Sequence, residues 1–141
     1  ISSDEKPNGR NFPPRVARRR MQLLVIQSFS YEERQGLLPN LTSALADCGG
    51  WVLCRRSLSP SLTEIRLEIQ LRSILDLYVS IVSSGLELTR SGHLGLTNLC
   101  NCRRNLTTAT DLGQVVTIRL EISFLEEITL QSLLTTGTTP A

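Results

Sequence analysis

The residues whose types and spacing could do chemistry are few in this 141-residue chain: four cysteines, one histidine, a run of arginines, and the step from Glu33 to Gly36. Cys100 and Cys102 stand two apart and would present two thiols on one face of a strand, while Cys48 and Cys54 flank Gly49-Gly50. Four sulfurs can bind zinc tetrahedrally, but structural zinc sites usually carry knuckles of the Cys-x-x-Cys type, and neither pair has that spacing. Buried cysteine is generally an inert small apolar group. The expectation is reduced core and strand thiols, with a redox pair at Cys100 and Cys102 as the other use. A histidine-based catalytic site has His93 alone to draw on, and Gly92 and Gly95 beside it suggest a loop. Neither a phosphate-binding glycine loop, a Gly-x-Ser-x-Gly elbow nor a His-Glu-x-x-His pair is present. The expectation is therefore a protein that is not an enzyme, with no catalytic residue, cofactor or metal.

The arginine run Arg18, Arg19 and Arg20 belongs to a segment of different character. Residues 1–20 carry a charge of +4 and the other residues sum to −2, within a chain total of +2. With Pro7, Gly9, Pro13 and Pro14 and no apolar periodicity, residues 1–20 read as a flexible basic arm. They lack the apolar stretch of a secretory signal. Arginines on such an arm can contact phosphates by displacing counterions. A nucleic-acid-binding sheet also needs aromatics on its central strands, where this sequence supplies only Phe29, so nucleic acid is not an expected partner. Apolar runs are short, so no membrane span is expected, and a cytoplasmic location is the default. The chain is 40% hydrophobic and 20% charged, as ordinary globular domains are, which excludes wholesale disorder. One core accounts for a chain of this length.

These positions must be held by regular elements. Residues 21–29 are dense in Leu, Val and Ile and read as a strand buried on both faces. Leu38, Leu41, Leu45 and Cys48 recur at three and four, the period of a helix that begins at about residues 36–38, because Pro39 belongs in a first turn, and ends at Gly49. Residues 30–35 then form an exposed loop. Residues 51–58 and 62–71 form a hairpin across Ser59-Pro60-Ser61. In its second strand Ile65, Leu67, Ile69 and Leu71 alternate with Glu64, Arg66, Glu68 and Gln70. Ser73 and Asp76 have the spacing of a capping box for a helix that buries Ile74, Leu77, Tyr78, Ile81 and Val82 and stops at Gly85. Residues 86–104 fit a strand through Leu94, Leu96, Cys100 and Cys102, or a short helix capped by Ser91; the strand is preferred. Residues 105–113 are a polar turn, and residues 114–124 alternate as a half-buried strand.

This order predicts an α+β fold, a ferredoxin-like βαββαβ sandwich: an antiparallel sheet with two helices on one face, extended by an extra C-terminal strand. The boundaries are an arm at 1–20, one domain at 21–128 and a frayed tail at 129–141. At the turn into the first helix, Gly36 permits a close approach, and the helix's free amides can hold a carboxylate.

The segment Glu33-Arg34-Gln35-Gly36-Leu37-Leu38, with Leu41, Ala44, Leu45, Gly49 and Val52 after it, resembles the junction of first strand and first helix in ACT domains. About twenty residues match closely, and about eighty match by element order. Glu33 stands where that family usually has aspartate, Gln35 where it has proline, and Trp51 where asparagine is common. The resemblance implies a regulatory, ligand-binding domain that pairs as a homodimer and takes an amino acid or similar metabolite at the subunit interface. Carried onto this chain, the ligand site is Glu33, Gln35, Gly36 and Leu37, with Ser30 and Tyr31 beside them. The other reading is a structural or protein-interaction domain that self-associates through its sheet with no ligand, Gly36 serving only to start a helix and Leu37 the core.

Overall fold

The computed structural model describes residues 23–137; the arm at 1–20 and the final residues 138–141 lie outside them. In chain order the elements are β1 (Leu24–Ser30), α1 (Arg34–Asp47), β2 (Trp51–Ser59), β3 (Leu62–Gln70), a single 3₁₀ turn (Leu71–Ser73), α2 (Ile74–Ser83), β4 (Glu87–Leu88), α3 (Arg90–Arg104), α4 (Ala109–Leu112), β5 (Val115–Phe124) and α5 (Leu125–Gly137). The fold is α+β, with one five-stranded sheet in the order β2-β3-β5-β1-β4.

That order corrects the expected antiparallel sheet. The C-terminal strand does not extend an edge but lies in the middle, parallel to β1 and antiparallel to β3. The sheet is therefore mixed. The reason is visible in β5 itself: Val116, Ile118, Leu120, Ile122 and Phe124 are all at or below 1% exposure. A strand with five such side chains on one face is best placed where both neighbours and the helices cover it. A parallel partner needs a long crossover, which the chain between β1 and β5 supplies.

Helices α1, α2 and α3 pack side by side over one face of the sheet. From α1 come Leu37, Leu38, Leu41 and Leu45, and from α2 come Ile74, Leu77 and Ile81. Pro39 falls at the sixth position of α1, beyond the first turn where it was expected, so the helix begins earlier and the β1–α1 connection shortens to residues 31–33. An interior proline costs about 3 kcal/mol. Four buried leucines, each worth about 1.5–3 kcal/mol, outweigh it. In α2, Val82 faces solvent and Tyr78 is half-buried, so the apolar face is narrower than the sequence suggested. Ser73 precedes the helix but makes no side-chain cap bond.

Residues 90–104 form helix α3, not the strand preferred from alternation. Its cap is Thr89, not Ser91; the Thr89 Oγ1 accepts the Gly92 amide at 3.1 Å. Gly92 and Leu96 are its buried residues, with Leu99 and Cys100 packed at the core margin. That is a helical period in which glycine takes a core position. A Cβ on Gly92 would come within 3.1 Å of Ile26 Cγ2, so the missing side chain is what lets α3 lie close on β1. Strand β1 is likewise buried on one face only, Ile26 and Ser28 inward and Val25 and Gln27 outward. Residues 125–137, taken mostly as frayed tail, form α5. No described helix is long and apolar enough to cross a membrane.

Gly49 has φ +94° and ends α1, and the Gly50 amide that follows donates to the Leu45 carbonyl at 2.8 Å. A Cβ on Gly50 would sit 2.8 Å from that carbonyl oxygen, which is backbone and cannot swing aside. Gly50→Ala is expected to destabilise the fold by about 1–3 kcal/mol, the usual range for overpacking. Urea denaturation checks this; an unchanged midpoint would show that the α1–β2 junction yields freely.

Candidate functional site

At one end of the sheet the starts of α1 and α5 converge on the last residue of β5. Between them lies a cleft of about 230 Å³ lined by Glu33, Arg34, Gln35, Phe124, Glu126, Glu127 and Leu130. This is below the roughly 300–1,000 Å³ of drug-sized pockets and suits a small metabolite.

Arg34 builds the wall of the cleft. Its guanidinium donates to Ser57 Oγ and to the carbonyls of Ser59, at 3.2 Å, and Pro60. It also lies 5.1 Å from the centroid of the Phe124 ring, a cation–π distance. The first turn of α1 is thereby tied to the β2–β3 turn, to which the Phe124 amide also bonds through the Ser61 carbonyl at 2.8 Å. Arg34, the one cation among the described residues that line the cleft, is thus engaged by the protein, while Glu33, Glu126 and Glu127 bring three carboxylates. Glu126 and Glu127 sit in the first turn of α5, where they complement the helix dipole. Glu33 occupies the N-cap position of α1 in extended conformation without a side-chain cap bond. In that first turn the Gly36 and Leu37 amides donate to the Glu33 carbonyl, at 3.1 and 2.9 Å, and the Glu33 side chain caps none of the amides.

Of the residues expected to bind ligand, Glu33 and Gln35 line this cleft. Gly36, Leu37, Ser30 and Tyr31 are not in its lining. Leu37 is core at 1% exposure. The close approach at Gly36 is made by the chain itself, since a Cβ there would meet Glu32 Oε2. Ser30 Oγ donates to the Glu32 carbonyl at 2.8 Å and accepts the Glu32 amide at 3.0 Å, closing the turn. Tyr31 donates to Glu87 Oε1 at 2.8 Å, and this hydrogen bond, with the nearby negative charge, holds its phenol above the ordinary range. The sequence reading missed Arg34, Phe124, Glu126 and Glu127. Arg34 lies inside the segment that resembles ACT domains, but Glu126 and Glu127 fall in residues 125–128, which carry no periodicity that assigns them to an element, and Leu130 falls in the expected tail.

The other reactive groups are separate from the cleft. Cys100 and Cys102 lie on α3, where two residues of spacing turn the side chains to different faces, so they do not form the pair that a strand would have made. All four cysteines are free thiols. His93 is on α3, not in a loop, and its Nδ1 lies 2.6 Å from the Tyr78 hydroxyl across to α2. Among the described residues no three His, Cys, Asp or Glu side chains are grouped to hold a metal. No family model, curated protein or solved structure matches the chain.

Burial pushes the Cys48 and Cys100 thiols above their ordinary value of 9.0; at Cys100 the arginines Arg103 and Arg104 pull partly the other way. The folded state therefore keeps these protons to higher pH than the unfolded chain. This contribution to stability is complete below pH 9 and is lost as pH rises through the raised native values. Iodoacetamide at pH 7.5, followed by peptide mass spectrometry, should label Cys48 and Cys100 more slowly in the native than in the denatured protein, with the gap closing above pH 9. Equal native and denatured rates would show these thiols to be open to reaction.

Proposed function

We propose that this chain is a non-catalytic regulatory module, ACT-like in kind, that binds an amino acid or a similar small metabolite in the cleft between α1 and α5. The observation that carries the reading is the pairing in one small cleft of an uncapped helix start with three carboxylates and an already satisfied arginine. The amides of α1 suit a carboxylate group, and Glu33, Glu126 and Glu127 suit an ammonium group. Phe124 and Leu130 supply apolar surface for the atoms between. A zwitterion of this kind meets both ends of the cleft at once, whereas a simple anion faces the three glutamates.

A ligand that binds only the native state raises its stability by RT ln(1 + [L]/Kd), about 2.7 kcal/mol at a hundredfold excess over Kd. In a thermal-shift panel of amino acids, their amines and their carboxylates, a zwitterion is expected to raise Tm by several degrees. The doubly substituted Glu126→Gln/Glu127→Gln protein should lose most of that shift, with its ligand-free Tm lowered only by the lost complement to the α5 dipole. A panel in which no amino acid moves Tm would sink the reading.

The second reading, a protein-interaction domain that self-associates through its sheet without a ligand, draws on a different surface. On that surface, the sheet face turned away from α1, α2 and α3, Arg66 lies opposite Arg119, and their side chains are 40% and 32% exposed.

A further inference from the structure

Period two along each strand divides the sheet into two faces, and Ile65, Leu67, Ile118 and Leu120 lie beneath α1, α2 and α3. On the other face Trp51 of β2 stands opposite Glu68 of β3, and Glu68 opposite Thr117 of β5, in a row that crosses three strands. Strand β1 runs parallel to β5 with Leu24 opposite Ile118, so Leu23, where the described chain begins, is level with Thr117 at the end of this row. Side chains at this corner are withdrawn from water although those three helices lie on the opposite face. Glu68 is 2% exposed, and Val115, two residues before Thr117, is 3% exposed and stands apart from the core cluster under the helices. A carboxylate that is taken out of water needs a cation beside it. Glu64, four residues before Glu68 on the same face, shows the rule, with Arg56 at 3.7 Å and Arg66 at 3.5 Å.

We propose that the chain's own basic arm folds back over this corner, with Arg18, Arg19 and Arg20 laid across the row so that one arginine pairs with Glu68 and another stacks on Trp51. Adjacent strands are about 4.8 Å apart, so Glu68 lies about 10 Å and Trp51 about 14 Å from Leu23. Arg20, Arg19 and Arg18 precede Leu23 by three, four and five residues. In extended chain these steps span about 10, 13 and 17 Å. The three arginines thus fall over the two side chains that suit a guanidinium, a carboxylate and the indole ring, which is the best cation–π partner. Arg66 and Arg119 face each other in the next row of the same face, and their charge keeps the arm from running along the strands and holds it across them.

The occupant is the arm because charge and attachment both select it. Residues 1–20 carry +4, while the other residues sum to −2. A segment tethered at Leu23 meets Glu68 at an effective concentration that a separate molecule does not reach. While docked, the arm closes the second face of the sheet at this corner and keeps its arginines from outside anions; an anion that draws them off uncovers Trp51. The corner lies at the opposite end of β5 from Phe124 and the cleft, so the contact stands whether or not a ligand binds there.

Trp51 is the chain's only tryptophan, so its fluorescence reports on the corner directly. In the full chain, Arg18→Gln/Arg19→Gln/Arg20→Gln is expected to raise acrylamide quenching of Trp51 severalfold and to shift its emission to the red. Lys6→Gln/Arg10→Gln/Arg15→Gln removes as much charge farther from the row and should do neither. Limited trypsinolysis with mass spectrometry gives the reciprocal measurement: Glu68→Gln should speed cleavage after Arg18, Arg19 and Arg20 about tenfold, because cleavage follows the population of the released arm. Unchanged quenching in the first variant overturns the proposal. So does an equal change in the second, which would make the effect one of net charge. Protection of Trp51 that grows with protein concentration would assign the corner to a second copy and overturns it too. If Glu68→Gln fails to fold by circular dichroism, the two arm variants still decide, since their changes lie outside the described residues.

Discussion

Strand β5 joins two parts of the chain that would otherwise have no common sheet. One edge of it pairs with β1 from Leu24 opposite Ile118 to Ser30 opposite Phe124, and the other pairs with β3 from Leu62 opposite Ser123 to Gln70 opposite Val115. Remove it, and β1 with β4 is separated from the β2–β3 hairpin by one strand's width. The helices above are then left without a continuous floor. The constraint acting here is satisfaction of the backbone: each strand edge must be paired, and a buried strand must be paired on both sides. The apolar face of β5 puts it under the helices, and burial there makes both its edges partners in the ladder.

From that centre the rest follows. Helix α3 has to cover β1 at short range, and it does so where Gly92 and Leu96 face the strand. Helix α1 has to cross to the hairpin, and Arg34 fastens its first turn to the β2–β3 turn. The end of β5 lies between these two regions, so Phe124 is both the last core residue of the strand and the floor of the cleft. The candidate site is thus a product of the central strand's position: it forms where α1, the hairpin turn and α5 meet the end of β5.

Much of the secondary structure is legible in residue order. The alternation of β3 and β5, the helical spacing in α1 and α2, and the stop at Gly85, with φ +93°, all rest on local periodicity or on backbone freedom, both of which operate within a few residues. Residues 90–104 were not legible in the same way, because Leu94, Leu96, Cys100 and Cys102 alternate while the helical face uses Gly92, whose lack of a side chain conceals it from any apolar count. At the cleft, Glu33 and Gln35 stood out as turn residues at a helix start. Glu126 and Glu127 come from more than ninety positions away in the chain and had no periodic signal to mark them.

What the sequence by itself determined was local: which stretches extend, which wind, where a glycine lets the chain turn, and that Glu64, Arg66 and Glu68 share a strand face. Tertiary structure decided which strands are neighbours, and with that everything that depends on adjacency. Pairing is settled by long-range competition for the buried centre of the sheet, a competition β5 wins by the area of apolar surface it can bury, and no window of adjacent residues contains that comparison. The same adjacency sets Glu64 against Glu121 and Arg66 against Arg119, and brings two helix starts to one cleft. Neither arrangement exists until β5 lies between β1 and β3.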